Sequence, residues 1–165
     1  MQNRDKYKKE NVWFKKPVAA DNIDYVCRWA HSDGLVNNRV MFVFGGINDQ
    51  NMAMRSVFAY DFLDNKFIPL AETGELIPTR INHGLFSIGA GMMLLYGGED
   101  PAGKGTFSDL WHLRVHLEDK DVHYTQAKYK GDHEHYILSW RTGFSLHYLK
   151  NFDDPVMIGG TFGNF

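Results

Sequence analysis

Two five-residue apolar runs, Val40-Met-Phe-Val-Phe44 and Met92-Met-Leu-Leu-Tyr96, each end on a glycine pair, Gly45-Gly46 and Gly97-Gly98. Short unbroken runs of this kind predict strands covered on both faces. Downstream, Leu113, Val115 and Leu117 alternate with His112, Arg114 and His116, the pattern of a strand with one wet face. A third run, Asp153-Asp-Pro-Val-Met-Ile158, again ends on a pair, Gly159-Gly160. Upstream of each pair stands an arginine. Arg28, Arg80 and Arg141 precede the first glycine by 17, 17 and 18 residues, and lie 52 and 61 residues apart. Self-similarity at a period near fifty marks a repeat architecture.

The first unit is expected to place strands near 29–35, 39–45, 56–62 and 66–70, the last two joined at the hairpin signal Asp64-Asn65. The second is expected at 83–88, 92–97, 107–117 and 122–129. Ser56-Val-Phe-Ala-Tyr-Asp-Phe62 and Ser108-Asp-Leu-Trp-His-Leu-Arg114 align at the same 52-residue offset as the glycine pairs. A third unit begins near His135 and holds the first half of a repeat. No stretch carries a helical period with caps, so the chain reads as all-β. The divisions are a basic segment over 1–24 and repeats over 25–165, with units of about 25–77, 78–134 and 135–165. Within the first segment, Val12-Trp-Phe14 is expected to be a short strand.

Composition changes this picture little. The chain has 165 residues, 44% hydrophobic and 23% charged, with sixteen glycines and 15% aromatics, which suits many short strands and tight turns. A net charge of −2 gives no general field for nucleic acid. Residues 1–16 hold six Lys or Arg against two acids, read as a solvated terminus. The single cysteine, Cys27, excludes an internal disulfide and fits a reducing, cytoplasmic setting. No apolar run reaches the length of a membrane span, so no membrane partner is expected.

Candidate chemistry is sparse. Gly98-Glu-Asp-Pro-Ala-Gly103-Lys104-Gly105-Thr106 comes within one residue of a phosphate-binding loop, but Gly105 stands where a hydroxyl should be and no helix pattern follows. It is expected to be a mobile loop. His133-x-His135, near Asp132 and Glu134, has ligand-type side chains but reads as a polar connection. His112 and His116 would lie about 13 Å apart on a strand, too far to share one ion. His31 and His83 recur with the repeat and so belong to the architecture. Cys27, beside Arg28, is expected to be a buried structural thiol. No cofactor or metal is expected.

The order Gly74, Pro78, Arg80, His83, an apolar strand, Gly97, Gly98, then Ser108-Asp-Leu-Trp111 resembles the kelch repeat. The first unit matches with Arg28, His31, Gly45, Gly46, Tyr60 and Asp61, with Phe67 where the family usually has tryptophan. The third matches with Arg141, Gly159 and Gly160, and Phe144 replaces its histidine. The resemblance implies kelch-type β-propeller blades, four-stranded antiparallel sheets around a central channel. It implies that the repeated arginine ties adjacent blades through backbone carbonyls. Kelch-type enzymes, the copper radical oxidases and sugar-acid epimerases, are a further alternative, but Cys27 lies in the wrong context for the former.

Propellers close with at least four blades, and two and a half are counted here. The ring is therefore incomplete within the chain. Either the chain is part of a longer propeller, or another copy or a neighbouring protein completes it. The function expected is a non-catalytic scaffold for protein partners; the alternatives are a structural subunit of a larger assembly and a propeller enzyme acting on a sugar-like molecule. Binding is expected on the loops that follow the glycine pairs: Asn48, Asp49, Asn51, Met52 and Arg55 on one, Glu99, Asp100 and Lys104 on the other.

Overall fold

The computed structural model describes residues 27–128, 141–149 and 154–162. The basic segment, the Val12-Trp-Phe14 strand and His133-x-His135 lie outside them. Among the described residues there are eleven strands and no helix, hence none long and apolar enough to cross a membrane. The first sheet has the order β1 (Ser32–Val36), β2 (Val40–Phe44), β3 (Phe58–Asp61) and β4 (Lys66–Pro69), antiparallel throughout. A strand β5 (Ala71–Gly74) follows. β6 (Gly84–Gly89), β7 (Met92–Tyr96), β8 (Leu110–His116) and β9 (Asp121–Gln126) form the second sheet, and β10 (Arg141–Leu149) pairs with β11 (Asp154–Phe162) as a separate hairpin.

The reversals explain the spacing of the inner strands. Asn37 and Asn38 (φ 50 and 54°) join β1 to β2, and Ala90 and Gly91 (φ 50 and 73°) join β6 to β7. Two consecutive left-handed residues make the turn whose twist matches that of a hairpin, and asparagine and glycine enter that region most readily.

Two expectations need correction. The second sheet has five strands, because β5 runs parallel to β9 along its outer edge. Ala71-Glu-Thr-Gly74 carries no apolar alternation, so nothing in its pattern marks a strand. It is held by edge hydrogen bonds from Ala71 N–H to the Lys120 carbonyl (2.9 Å) and from Glu75 N–H to the Tyr124 carbonyl (3.1 Å). In return it covers an otherwise open edge. The third strands are also offset by one residue from the expected alignment. Val43 faces Phe58 whereas Leu95 faces Trp111, so Phe58, not Ala59, is the counterpart of Trp111. The loop after Gly98 is one residue longer than the loop after Gly46, which produces the slip.

The sheets stack face to face. Val36, Phe42, Phe44, Ala59 and Leu70 of the first pack against Leu85, Met93, Leu95, Trp111, Leu113 and Val122 of the second. Each fully buried large side chain contributes about 2–3 kcal/mol. Gly34 makes the close approach possible, since a Cβ there would lie 2.9 Å from the Met93 sulfur. The opposite face of the second sheet meets the hairpin, where Phe86 stacks on Tyr148 (6.1 Å) and Tyr96 meets Phe144 (5.9 Å). The stack does not close into a barrel within the described residues.

Candidate interaction face at the glycine pairs

Each glycine pair has two separate tasks. The second glycine serves its own unit: a Cβ at Gly46 would lie 2.7 Å from the Trp29 carbonyl, and one at Gly98 2.6 Å from the Ile81 carbonyl. The first glycine admits the following unit. A Cβ at Gly45 would lie 2.6 Å from the Arg80 carbonyl, and one at Gly97 2.8 Å from that of Arg141. Both are left-handed (φ 68 and 63°), where glycine avoids the penalty of a side chain.

The arginine side chains act within their own unit, contrary to the expectation. Arg28, Arg80 and Arg141 donate to the carbonyls of Gly45 (3.1 Å), Gly97 (2.9 Å) and Gly159 (3.0 Å). Adjacent units are instead tied through the arginine main chain: Gly46 N–H donates to the Arg80 carbonyl (3.2 Å) and Gly98 N–H to that of Arg141 (2.9 Å). Arg80 is fully buried, and its guanidinium forks onto the Asp109 carboxylate (2.6 and 2.8 Å) over the Phe107 ring. Burial pushes the Asp109 carboxyl up, but the Arg80 hydrogen bonds and charge, with the Trp111 N–H, outweigh it and leave the pKa lowered. Arg28 donates at the matching place to the Ser56 carbonyl and hydroxyl (both 2.9 Å).

Because Gly46 and Gly98 end equivalent strands of stacked sheets, the loops after them leave the same end of the stack. Both are closed turns. In the first, Ile47 bridges Ala53, and the Asn48 side-chain oxygen accepts from Gln50 and Met52 N–H (3.0 and 2.9 Å). Asn51 is left-handed (φ 58°). In the second, Glu99 bridges Thr106, Asp100 N–H donates to the Gly105 carbonyl (2.9 Å), and the Asp100 carboxylate accepts from Ala102 N–H (2.7 Å). The stretch with phosphate-loop spacing is thus, as expected, a loop between the second and third strands of its unit, closed by its own hydrogen bonds, and β8 follows it.

The structure divides the eight candidates. Asn48 and Asp100 shape their own turns. Glu99 accepts from the Asn82 side-chain amide (2.6 Å), and Arg55 lies 3.6 Å from the Glu72 carboxylate of β5. These four make polar contacts within the fold. Asp49, Asn51, Met52 and Lys104 are exposed, Met52 at 54%.

A model of the kelch motif matches residues 30–74. The chain carries a kelch motif. With its all-β stack of blade-like sheets it is consistent with a kelch-repeat family and with propeller blades. No curated protein matches the chain.

The remaining candidates fall to either side of this kelch frame. His83 is buried between units, its ring edge-on to Phe44 at 5.4 Å. Its pKa is lowered to about 3 by burial, then by the Arg80 and His31 charges. His31, at the same place in the first unit, is exposed. Cys27 is exposed rather than buried. His116 pairs with the Asp121 carboxylate (2.6 Å), and His112 faces solvent. Sequence reasoning missed His123, which lies opposite Arg114 and beside His112 and Thr125 around a shallow recess of about 280 Å³. It also missed Ser56 and Asp109 as the arginine partners. Part of their signal was present: Asp109 directly precedes β8, and Ser56 is its counterpart on a one-residue shifted alignment.

Proposed function

We propose that this chain is a non-catalytic kelch-type scaffold that binds protein partners through the loops following its glycine pairs. One observation carries the reading. Two loops pinned by their own hydrogen bonds leave the same end of a rigid stack and present Asp49, Asn51, Met52 and Lys104 outward, with no hydrogen bond or ion pair given to their side chains among the described residues. Loops held by a scaffold recognise partners at low ordering cost. Met52 supplies an adaptable apolar contact, and the flanking Asp49 and Lys104 set charge preference. The single cysteine supports a reducing, cytoplasmic setting.

Affinity capture with the wild-type chain and the variant Asp49→Ala, Met52→Ala, Lys104→Ala tests this. The proposal expects specific partners to be lost from the variant while its unfolding midpoint stays the same. Equal recovery of every partner would remove the loops as the binding surface.

A further inference from the structure

We infer that the open face of the third unit docks the leading edge of the first unit of a second copy of this chain, so that two copies close one ring. The inference goes beyond the loop reading and is independent of what the loops bind.

The two junctions inside the chain define what a docked neighbour supplies. The residue before each glycine pair is buried by the next unit: Phe44 is 4% exposed and Tyr96 1%. The ring three residues after the next arginine lies on it, His83 on Phe44 and Phe144 on Tyr96. A left-handed residue two places after that arginine extends a backbone ladder. Asn82 N–H donates to the Ala30 carbonyl and Gly143 N–H to the Asn82 carbonyl, both at 3.0 Å. Ala30, Asn82 and Gly143 share φ values of 56, 53 and 64°.

The third unit repeats the receiving half of this junction and leaves it vacant. Gly159 has the same left-handed backbone (φ 75°) as Gly45 and Gly97, yet among the described residues a Cβ on it would meet nothing within 4 Å. Ile158, at the position of Phe44 and Tyr96, is 62% exposed. The first unit offers the inserting half. His31 is exposed at the place of His83, Ala30 already holds the ladder conformation, and Leu35 of β1 is 42% exposed.

Continuity of the interface selects a second copy. The first unit of another chain would set His31 over Ile158 and Gly159, and direct Ala30 N–H at the Gly143 carbonyl. Two copies joined at both ends bring four complete blades and two half-blades into one ring through two equivalent contacts.

Light scattering on the full chain eluting from a sizing column is expected to give twice the 19.0 kDa chain mass. Ile158→Asp and His31→Asp, separately, should halve that mass while the far-ultraviolet dichroism is unchanged. Asp49, Met52 and Lys104 variants should leave it at two chains, which separates failure here from failure of the loop reading. A second measurement does not depend on a folding-neutral charge. In a Cys27→Ser background, His31→Cys mixed with Ile158→Cys should oxidise to a two-chain species, and neither should do so alone. A single-chain mass at every concentration overturns the proposal. So does a two-chain mass that Ile158→Asp leaves intact and the cysteine pair fails to capture.

Discussion

His83 should make the stability of this fold fall as pH drops below neutrality, and replacing it with phenylalanine should remove most of that fall. The ring is 3% exposed between the first two sheets, and among the described residues neither nitrogen finds a partner of hydrogen-bond geometry, although the Phe44 backbone approaches it. Burial, with the Arg80 charge beside it, lowers the pKa from 6.5 to about 3. Folded chains therefore keep the ring neutral where unfolded chains take up a proton. The stabilising contribution is complete above pH 6.5 and is lost progressively as pH falls toward 3. One titrating group changes stability by about 1.4 kcal/mol per pH unit in such a window, so the step from pH 6.5 to 5 removes roughly 2 kcal/mol.

Urea unfolding followed by tryptophan fluorescence at pH 7 and pH 5 reads this directly. A loss of roughly 2 kcal/mol moves the midpoint by on the order of 1 M. In His83→Phe the pH dependence should flatten over that interval, which lies above the range where carboxylates titrate. The substitution has an internal precedent: Phe144 holds the same position in the third unit, beside Gly97 and Tyr96. At pH 7 it should also stabilise the fold by about 1 kcal/mol or more, since it removes two buried nitrogens without partners. His31, whose pKa is lowered by partial desolvation of its largely exposed ring and by the Arg28 charge, leaves a smaller residual slope of the same sign. An undiminished slope in His83→Phe would refute the reasoning.

The three arginines should not be equivalent. Arg80→Ala strands a half-buried Asp109 and is expected to cost about 3–5 kcal/mol, whereas Arg28→Ala, with neutral Ser56 as partner, should cost about 1 kcal/mol; equal shifts in the urea midpoint would contradict the structure. Gly45→Ala should be much worse than Gly159→Ala when both are measured in the Ile158→Asp background. Each incurs a left-handed backbone penalty of about 1 kcal/mol, but only the first meets a carbonyl 2.6 Å away.

Much of the fold was legible because its signals are local. The apolar runs at Val40–Phe44 and Met92–Tyr96 and the turns after them depend on neighbouring residues, and those strands sit within a residue or two of the expected bounds. The failures came where a residue's task is set from elsewhere. β5 is a strand only because β9 lends it an edge, and the third-strand alignment slipped because loop length, not side-chain identity, fixes register. Four of the eight loop candidates also make polar contacts within the fold. A carboxylate that shapes a turn, as Asp100 does, has the same one-letter signature as one that waits for a partner. Cys27 was misplaced because thiols are usually buried, whereas this one is exposed.

The polarity of the outer strands records what covers them. On the first sheet, the face toward the second carries Ala59, Ile68 and Leu70, all in or against the core. The corresponding face of the second sheet carries His112, Arg114, His123 and Thr125, all exposed, and Ala59 is the structural counterpart of His112. The difference matches the third unit, which among the described residues supplies two inner strands and no outer pair to lie on that face. An apolar side chain at His112 would leave a greasy patch facing water, and a histidine at Ala59 would be buried without a partner. The wet outer half therefore belongs to the same design as the vacant inner socket at Ile158 and Gly159. A neighbour that docks there is expected to bury the inner strands and leave the outer half of the second blade in solvent.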